Sequence, residues 1–388
     1  MVKFGHGLRP LWLLEPDMYF LNHGSFGATP RTVLAAQQTW RERMENQPVR
    51  FMSKELPTAL REAAAALAQY LGTAGENLVF VDNATTGINT VLRSIAWRAG
   101  DELVLCRHAY PAVKNAARFI AGLHDITIRE ANVPFPLKSA DDIVQAFSES
   151  ITTRTRLVIV DHLSSPLALI YPIAPIIAMC RERGIAVLVD GAHGPGMLSL
   201  ELDALGADWY VGNCHKWLCA PKGCGFLWAA PHAQAALNPL VISLKWNEGF
   251  LAEFDWTGTR DPTAWLAITA ALEFNLILGA EQVRAYNHDL VIDAARELAV
   301  AWGVSLPAPE SMFGAMVTLP LPIAEKATQT LAEKFHDALW RNFHIEVPVL
   351  CFDDRLWTRL SGQVYNEQSD YMTLAEAVPR TLLECSDG

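Results

Sequence analysis

The sequence predicts an α/β fold in which a mostly parallel sheet carries helices on both faces, followed by a small C-terminal α+β domain. Short apolar runs rich in Val, Ile and Leu alternate with helix-like segments over the first two thirds of the 388 residues. This alternation ends after Trp228. A hydrophobic share of 51% supplies enough apolar side chains for a large core.

The predicted strands of the sheet are short apolar runs, as expected for strands buried on both faces. They cover residues 78–81, 102–106, 157–160, 185–189, 209–212 and 225–228. The helix candidates between them cover residues 87–97, 111–123, 140–148 and 173–183. Strands joined through helices run parallel, so their carboxyl ends meet at one edge of the sheet, where an active site is expected.

The pattern changes beyond Trp228. A loop-rich segment, 243–262, precedes a helical stretch over 263–298 that we expect to bridge two lobes as one long helix. Strands over 314–319 and 345–349 flank a helix over 324–342 and predict a small α+β lobe. The expected organisation is an N-terminal segment 1–15, a large domain 16–262, a bridging helix 263–298 and a small C-terminal domain 299–388.

Charge and cysteine content narrow the class of protein. The 42 acidic residues exceed the 31 basic ones without charged blocks, which argues against a nucleic-acid or anionic-membrane partner and favours a small-molecule substrate. No apolar run reaches the roughly 18 residues of a membrane span, and residues 1–16 lack the pattern of a signal peptide, so we expect a cytoplasmic protein. The seven cysteines contain no CxxC pair, which predicts neither a disulfide framework nor a metal site.

Two residues at the expected carboxyl edge suggest a specific chemistry. One apolar strand ends at Asp190, and the next is followed by Lys216. Pyridoxal 5'-phosphate (PLP) requires such a pair, because its aldehyde forms a Schiff base with lysine and its ring nitrogen must stay protonated. A buried carboxylate stabilises that protonated nitrogen. Taken alone, Asp190 is equally well explained as a helix N-cap and Lys216 better as a solvated lysine.

Seven ordered motifs around this pair carry a family resemblance. They lie at residues 20–27, 83–89, 161–166, 190–193, 215–216, 256–261 and 359–366. With these motifs the chain resembles the class V aminotransferase superfamily of fold-type I PLP enzymes, and within it the isopenicillin N epimerase-like, cysteine desulfurase-related branch. The resemblance implies that Lys216 is the Schiff-base lysine, Asp190 the partner of the pyridine nitrogen, and His193 a donor to the phenolic oxygen of PLP.

The resemblance also implies a phosphate site. Residues Asn83, Ala84, Thr85 and Thr86 follow a strand and open a helix, where free N–H groups face an anion, although Asn and Thr are also ordinary helix caps. The family adds Asn213 and His215 to this site. His215 alone is better explained as a packed core histidine.

Further cofactor contacts are expected from the family. Either His108 or Tyr110 is expected to stack on the PLP ring, and the resemblance favours Tyr110. Without the resemblance, Tyr110 is almost as well explained as a half-buried aromatic residue at the end of a strand. Asp161 and Ser165 are expected beside the cofactor.

On the substrate side, Arg359 is expected to bind the α-carboxylate, because its planar fork meets two oxygens, although an exposed strand arginine is an equal alternative. Asn22 and His23 are also expected to border the substrate. Enzymes of this fold pair as homodimers, and the resemblance places Thr259 and Arg260 in the neighbouring active site, with Arg260 at its substrate.

The expected reaction is cleavage at Cα or Cβ of an amino acid, with β-elimination of a C–S bond favoured over epimerisation. Cys351 precedes Arg359 by eight residues without a His-rich loop, which argues against persulfide transfer. Leu167 replaces the hydroxyl residue expected after Ser-Pro in the epimerase, which weakens the case for a bulky tripeptide substrate. An aminotransferase or a decarboxylating enzyme of secondary metabolism is an alternative on the same fold.

Two alternatives come from other classes. A metal-dependent hydrolase would use Asp161, His162, Asp190 and His193 as ligands with His23 nearby, but it leaves Lys216 unexplained. A non-catalytic PLP-fold binding protein is the other, since a fold does not determine function.

Overall fold

A seven-stranded sheet forms the centre of the larger part of the molecule. The computed structural model describes residues 2–323 and 326–386, and the strands are β1 (Tyr19–Phe20), β2 (Leu78–Val81), β3 (Glu102–Cys106), β4 (Thr127–Ala131), β5 (Thr155–Asp161), β6 (Ala186–Gly191), β7 (Trp209–Asn213), β8 (Gly225–Ala229), β9 (Met316–Pro320), β10 (Ile345–Glu346), β11 (Val349–Phe352) and β12 (Arg355–Ser361). The sheet order is β2-β8-β7-β6-β5-β3-β4. Strand β8 runs antiparallel to β2 and β7, and the remaining neighbouring pairs are parallel, which confirms the mostly parallel sheet.

All six predicted strands of this sheet are present, and their ends differ from the prediction by at most two residues. The apolar runs were a reliable signal because most of these strand residues are fully buried. A seventh strand, β4, was not predicted. It lies at the sheet edge, where its first four residues are exposed or half-buried, and Arg129 and Glu130 interrupt any apolar run.

Helices cover both faces of the sheet and build the rest of the molecule. They are α1 (His23–Phe26), α2 (Arg31–Asn46), α3 (Pro48–Arg50), α4 (Leu56–Tyr70), α5 (Ala84–Ser94), α6 (Pro111–His124), α7 (Ala140–Ser150), α8 (Ile173–Glu182), α9 (Leu202–Leu205), α10 (Phe250–Asp255), α11 (Thr263–Leu266), α12 (Ile268–Leu278), α13 (Ala280–Trp302), α14 (Gln329–Phe343) and α15 (Gln368–Ser386). Helix α5 begins three residues earlier than predicted, because the side chain of Asn83 caps it by accepting the N–H of Thr86.

The prediction of one long helix over 263–298 is wrong. Three helices, α11 to α13, occupy this stretch. Gly279 ends α12 with a φ of +83°, and α13 leaves at a bend of 72°. Within the described residues, no single helix is long and apolar enough to cross a membrane, and only this bent pair meets both requirements when its helices are taken together.

The C-terminal part is an α+β unit, as predicted. Strands β11, β12 and β9 form an antiparallel sheet in that order, and α14 packs on β11 while α13 packs on β9 and β12. The predicted helix 324–342 corresponds to α14, and its first two residues lie outside the described part of the chain. The predicted strand 345–349 is divided into β10 and β11.

The N-terminal segment is attached to this C-terminal unit. Strand β1 pairs in parallel with β10, and the N–H of Gly5 donates to the carbonyl of Val364 at 2.8 Å. After β1 the chain passes through α1 to Gly27, whose φ is +68°. A Cβ at this position would clash with the backbone of His215 and Lys216, so the N-terminal segment lies directly against the loop after β7.

Candidate active site

A cavity of about 530 Å³ opens where β5, β6 and β7 end. Twelve of the residues proposed from the sequence line it, namely Asn83, Ala84, Thr85, Thr86, Tyr110, Asp161, Ser165, Asp190, His193, Asn213, His215 and Lys216. This is the edge at which a parallel α/β sheet binds its ligands. The fold therefore brings together residues that are up to 133 positions apart, from Asn83 to Lys216.

Lys216 is a half-buried lysine whose amine lines this cavity. Its Nζ lies 2.9 Å from Nε2 of His193. Burial lowers the pKa of Lys216 to about 7, with Arg359 acting in the same direction and Asp190 opposing it. A large fraction of the amine is therefore neutral near pH 7, and a neutral amine is the form that attacks an aldehyde.

His193 lies between Lys216 and Trp217. The indole Nε1 of Trp217 donates to Nδ1 of His193 at 3.2 Å. Burial, followed by the charge on Lys216, lowers the pKa of His193 well below its usual value. The imidazole is therefore neutral in this site.

Asp190 is the acid at the base of the cavity. Its Oδ1 accepts the N–H of Ala192 at 3.0 Å, and burial raises its pKa while the nearby charge of Lys216 lowers it. Asp161 ends the neighbouring strand in register with Asp190. Burial and the charge of Asp190 raise the pKa of Asp161 well above its usual value, so the two carboxyl groups have different tendencies to ionise.

The N-terminus of α5 forms one wall. The side chain of Asn213 accepts the N–H of Ala84 at 2.8 Å and that of Asn83 accepts the N–H of Thr86 at 2.9 Å. Between them, the N–H of Thr85 has no hydrogen-bond acceptor within the described residues. Gly87 lets the helix approach Val211 closely, which fixes this N-terminus against β7.

Arg359 lies on β12 just behind the cavity wall. Its Nη1 donates to the carbonyl and to Oγ of Ser165, both at 2.9 Å, and its Nη2 donates to Oγ of Ser25 at 3.0 Å. The side chain is buried, and its Nε has no partner. Burial lowers the pKa of Arg359 to about 10, so it stays a cation that two cavity-lining serines hold in place.

Besides Arg359, three more residues proposed for this site do not line the cavity, because their side chains bond elsewhere. His108 is turned away and bonds to Asp353 at 3.2 Å, whereas Tyr110 does line the cavity, so the structure favours Tyr110 of the two. His23 is fully buried beneath the lysine loop, where its Nε2 lies 3.0 Å from the carbonyl of Lys216. Asn22 donates to Glu346 at 2.8 Å.

The two residues proposed for a neighbouring active site also lie outside this cavity. Arg260 forms an ion pair with Asp82 and lies 4.1 Å above the ring of Trp265, while Thr259 is exposed. Asp82 itself lines the cavity.

Several lining residues were not proposed from the sequence. Ser25 and Phe26 belong to the motif 20–27, from which only Asn22 and His23 were selected. Helix α1 turns Ser25 toward Arg359, and this turn has no clear signal in a segment of four helical residues. Lys222 also lines the cavity and donates to the carbonyl of Gly27 at 3.0 Å.

The ligands of the metal-hydrolase alternative do not converge. Nδ1 of His162 is 3.0 Å from the hydroxyl of Tyr210, and His23 bonds to Tyr365 and to the lysine loop. Across residues 2–323 and 326–386, no group of three or more His, Cys, Asp or Glu side chains is arranged to hold a metal ion.

The donors in the cavity fit PLP. Nδ1 of His215, in the cavity, and Nε of Arg359, just behind its wall, are buried without a protein partner, and the free N–H of Thr85 lies at the positive end of α5. An amine with a lowered pKa and a buried carboxylate line the same cavity. Together the fold and this site define a PLP-dependent enzyme of fold type I.

Comparison with known proteins identifies the family. The model of the aminotransferase class-V family matches residues 18–332, and the chain belongs to this family. An isopenicillin N epimerase of Amycolatopsis lactamdurans is 34% identical, with 94% of this chain and 95% of the relative covered. A probable chloroplastic L-cysteine desulfhydrase of Arabidopsis thaliana is 31% identical, with 94% and 83% covered. The protein is therefore a PLP enzyme of the lyase and epimerase branch, a family whose substrates are small molecules of the amino-acid class.

Solved structures agree with the fold. The cystine C–S lyase C-DES, in complex with its reaction product cysteine persulfide, superposes with a TM-score of 0.79 at 22% identity, covering 94% of this chain and 97% of the other. A C-DES variant with glycine covalently linked to the PLP cofactor gives a TM-score of 0.80 at 21% identity, with 95% and 98% covered.

Proposed function

We propose that the protein is a PLP-dependent C–S lyase that releases the sulfur substituent from Cβ of cysteine or of a cysteine derivative. The observation that carries this proposal is the amine of Lys216, which lies 2.9 Å from His193, has a pKa lowered to about 7 and lines one cavity with Asp190. Relatives named L-cysteine desulfhydrase at 31% and 32% identity support the choice of a C–S bond.

The residues that would hold the cofactor follow from the geometry. Lys216 would bind its aldehyde carbon, Asp190 its ring nitrogen and His193 its phenolic oxygen. Its phosphate would bind at the N-terminus of α5 with His215, and Tyr110 would cover its ring. When bound, PLP supplies an electron sink that stabilises the negative charge formed at Cα of the substrate.

The protein would supply positioning and proton transfer. Arg359 would bind the substrate carboxylate through its guanidinium, whose orientation Ser25 and Ser165 already determine. Nζ of Lys216, neutral in a large fraction near pH 7, would accept the Cα proton. A sulfur substituent on Cβ would then leave as a thiolate, with its C–S bond replaced by a Cα–Cβ double bond, because a thiolate is a much weaker base than an alkoxide.

Epimerisation is the second candidate, and the 34% identity to an isopenicillin N epimerase favours it. The same site would serve both reactions up to removal of the Cα proton. They differ in whether a proton returns to Cα or a substituent leaves Cβ.

We also infer that the enzyme works as a cytoplasmic homodimer. The exposure of Thr259 supports a role of this residue at a partner's phosphate site, whereas the ion pair between Arg260 and Asp82 holds Arg260 beside the cavity of its own chain. Analytical ultracentrifugation of the holoenzyme would measure the oligomeric state, and a monomer at micromolar concentration would refute the dimer.

Absorption spectroscopy and mass spectrometry test the cofactor assignment. We expect a yellow protein whose visible band disappears on borohydride treatment, and a pyridoxyl mass on the peptide that contains Lys216. Modification of a different lysine, or a protein that PLP cannot reconstitute, would refute the proposal.

A panel of amino acids then separates the reactions. Pyruvate, ammonia and sulfide from cysteine or its S-conjugates indicate β-elimination, and loss of optical rotation without these products indicates epimerisation. A keto acid formed with retention of the amino group on the cofactor would indicate transamination instead.

A further inference from the structure

The imidazole of His193 is bonded on both sides, and the two bonds constrain each other. Its Nδ1 lies 3.2 Å from the indole Nε1 of Trp217, and its Nε2 lies 2.9 Å from Nζ of Lys216. An indole N–H can only donate, so Nδ1 must be the acceptor. A neutral imidazole has one proton, and this proton is therefore on Nε2.

Nζ of Lys216 must then accept a hydrogen bond from Nε2 of His193. With the proton on Nε2, the short contact to Lys216 is a hydrogen bond only if Nζ offers a lone pair, and an ammonium group has none. We propose that Trp217 is a positioning residue that keeps the proton of His193 on Nε2 and thereby holds Lys216 as a free amine. This inference rests on the proposed role of Lys216 as the cofactor-binding lysine.

The surroundings support a fixed arrangement. Trp217 is 3% exposed, and its ring is 5.1 Å from that of His23, so the indole has little freedom to turn. The charged and titratable groups acting on the Lys216–His193 pair are Asp190, Arg359 and His215. Of these, only Asp190 favours the ammonium form of Lys216, and the pKa of the lysine is lowered despite it.

Trp217 has a second effect once the cofactor occupies the site. A His193 whose proton stays on Nε2 can donate from that atom to whatever acceptor faces it. The same indole would thus serve both the free lysine and the hydrogen bond to the phenolic oxygen.

Replacement of the indole tests the proposal on the apoprotein. In Trp217→Phe, the proton of His193 is free to move to Nδ1, and Nε2 can accept from an ammonium group. We expect the pH midpoint for labelling of Lys216 by trinitrobenzenesulfonate, followed by peptide mass spectrometry, to rise by about one to two pH units, the range that a hydrogen bond to a charged group supports. An unchanged midpoint would overturn the proposal.

Two controls separate this effect from lost packing. Trp209→Phe removes another buried indole, bonded to the carbonyl of Ala233 at 3.3 Å at the opposite end of β7, and should leave the midpoint unchanged. In a His193→Gln background, Trp217→Phe should no longer shift the midpoint. A shift of equal size in both backgrounds would refute transmission through His193.

The wild-type protein provides a test that does not depend on any variant folding. Two-bond ¹H–¹⁵N correlation spectra of the apoprotein, with His193 assigned by its loss in His193→Gln, should show the proton on Nε2. A proton on Nδ1 would refute the inference even if borohydride reduction places the pyridoxyl group on Lys216. If reduction labels another lysine, the proposed function fails instead.

Discussion

Asp161 and Asp190 are paired in register at the ends of the adjacent parallel strands β5 and β6, and both are buried. Two carboxylates in such positions repel each other where water cannot screen them. Burial raises the pKa of both carboxyl groups, but at Asp190 the hydrogen bond from the N–H of Ala192 opposes this rise, whereas at Asp161 the charge of Asp190 adds to it. We therefore expect Asp161 to carry a proton while Asp190 is the site's anion.

Asp161→Asn should make the stability of the apoprotein less sensitive to pH. The folded-state pKa of Asp161 lies well above its usual value of 3.8, so the wild type loses stability as pH rises through that raised pKa. A neutral amide has no proton to lose. The free energy of unfolding, measured in urea from pH 4 to 8, should fall less steeply with pH in the variant, and parallel curves would contradict the assignment.

Asp190→Asn should affect cofactor binding and catalysis, unlike Asp161→Asn. The amide cannot stabilise a positive ring nitrogen, so we expect PLP affinity to fall by about tenfold or more and kcat to fall with it. Equilibrium dialysis of PLP and steady-state kinetics provide the two readouts. Equal effects of Asp161→Asn and Asp190→Asn would mean that the structure does not distinguish the two acids.

Arg359→Lys should raise KM for the amino acid by about 10- to 100-fold and leave the bound cofactor intact, because an ammonium group cannot make two parallel bonds to a carboxylate. Arg129→Lys is the matched control, since Arg129 lies on the edge strand β4 and bonds to the carbonyl of Ser150 in α7. An unchanged KM for Arg359→Lys would remove this arginine from the substrate site.

Tyr110→Ala and His108→Ala should separate a cavity residue from one turned away. Tyr110 lines the cavity, so its loss should shift the visible band of the holoenzyme and weaken PLP binding. His108 bonds to Asp353, and its loss should lower the melting temperature without moving the band. The opposite assignment would be correct if only the His108 variant changed the spectrum.

Asn83→Ala should weaken both α5 and the phosphate site. Removing the N-cap is expected to lower the free energy of unfolding by about 1 kcal/mol and to reduce PLP affinity, because the first turn of α5 loses its support. Ser139→Ala removes the capping box of α7 and should cost a similar amount of stability with no effect on PLP. A loss of affinity in both variants would reflect general destabilisation.

The sequence was most informative where burial on both sides of a strand left an uninterrupted apolar run. The sequence did not indicate β4. This strand lies at the sheet edge, where its partly exposed residues do not have to form an uninterrupted apolar run. The sequence also did not show the break at Gly279, since the helical pattern continues on both sides of that residue.

In the site, too, some residues could be placed from the sequence and others could not. Residues that directly follow a strand or open a helix, such as Asp190 and Asn83, could be placed from sequence spacing and the resemblance. The orientation of a side chain could not, which is why His23 and His108 were placed near the ligand although they bond elsewhere. Trp217 was not proposed as a site residue, because its contribution depends on the direction of its indole N–H, which a sequence does not show.

The pairing of β1 with β10 gives the C-terminal sheet a direct mechanical connection to the lysine. Phe20 belongs to β1 and pairs with β10. Only six residues separate it from Gly27, which packs against the backbone of His215 and Lys216. A segment of six residues is too short to move independently of the strand and the loop that it joins. A displacement of the C-terminal sheet would therefore reach the backbone of His215 and Lys216 through these few residues.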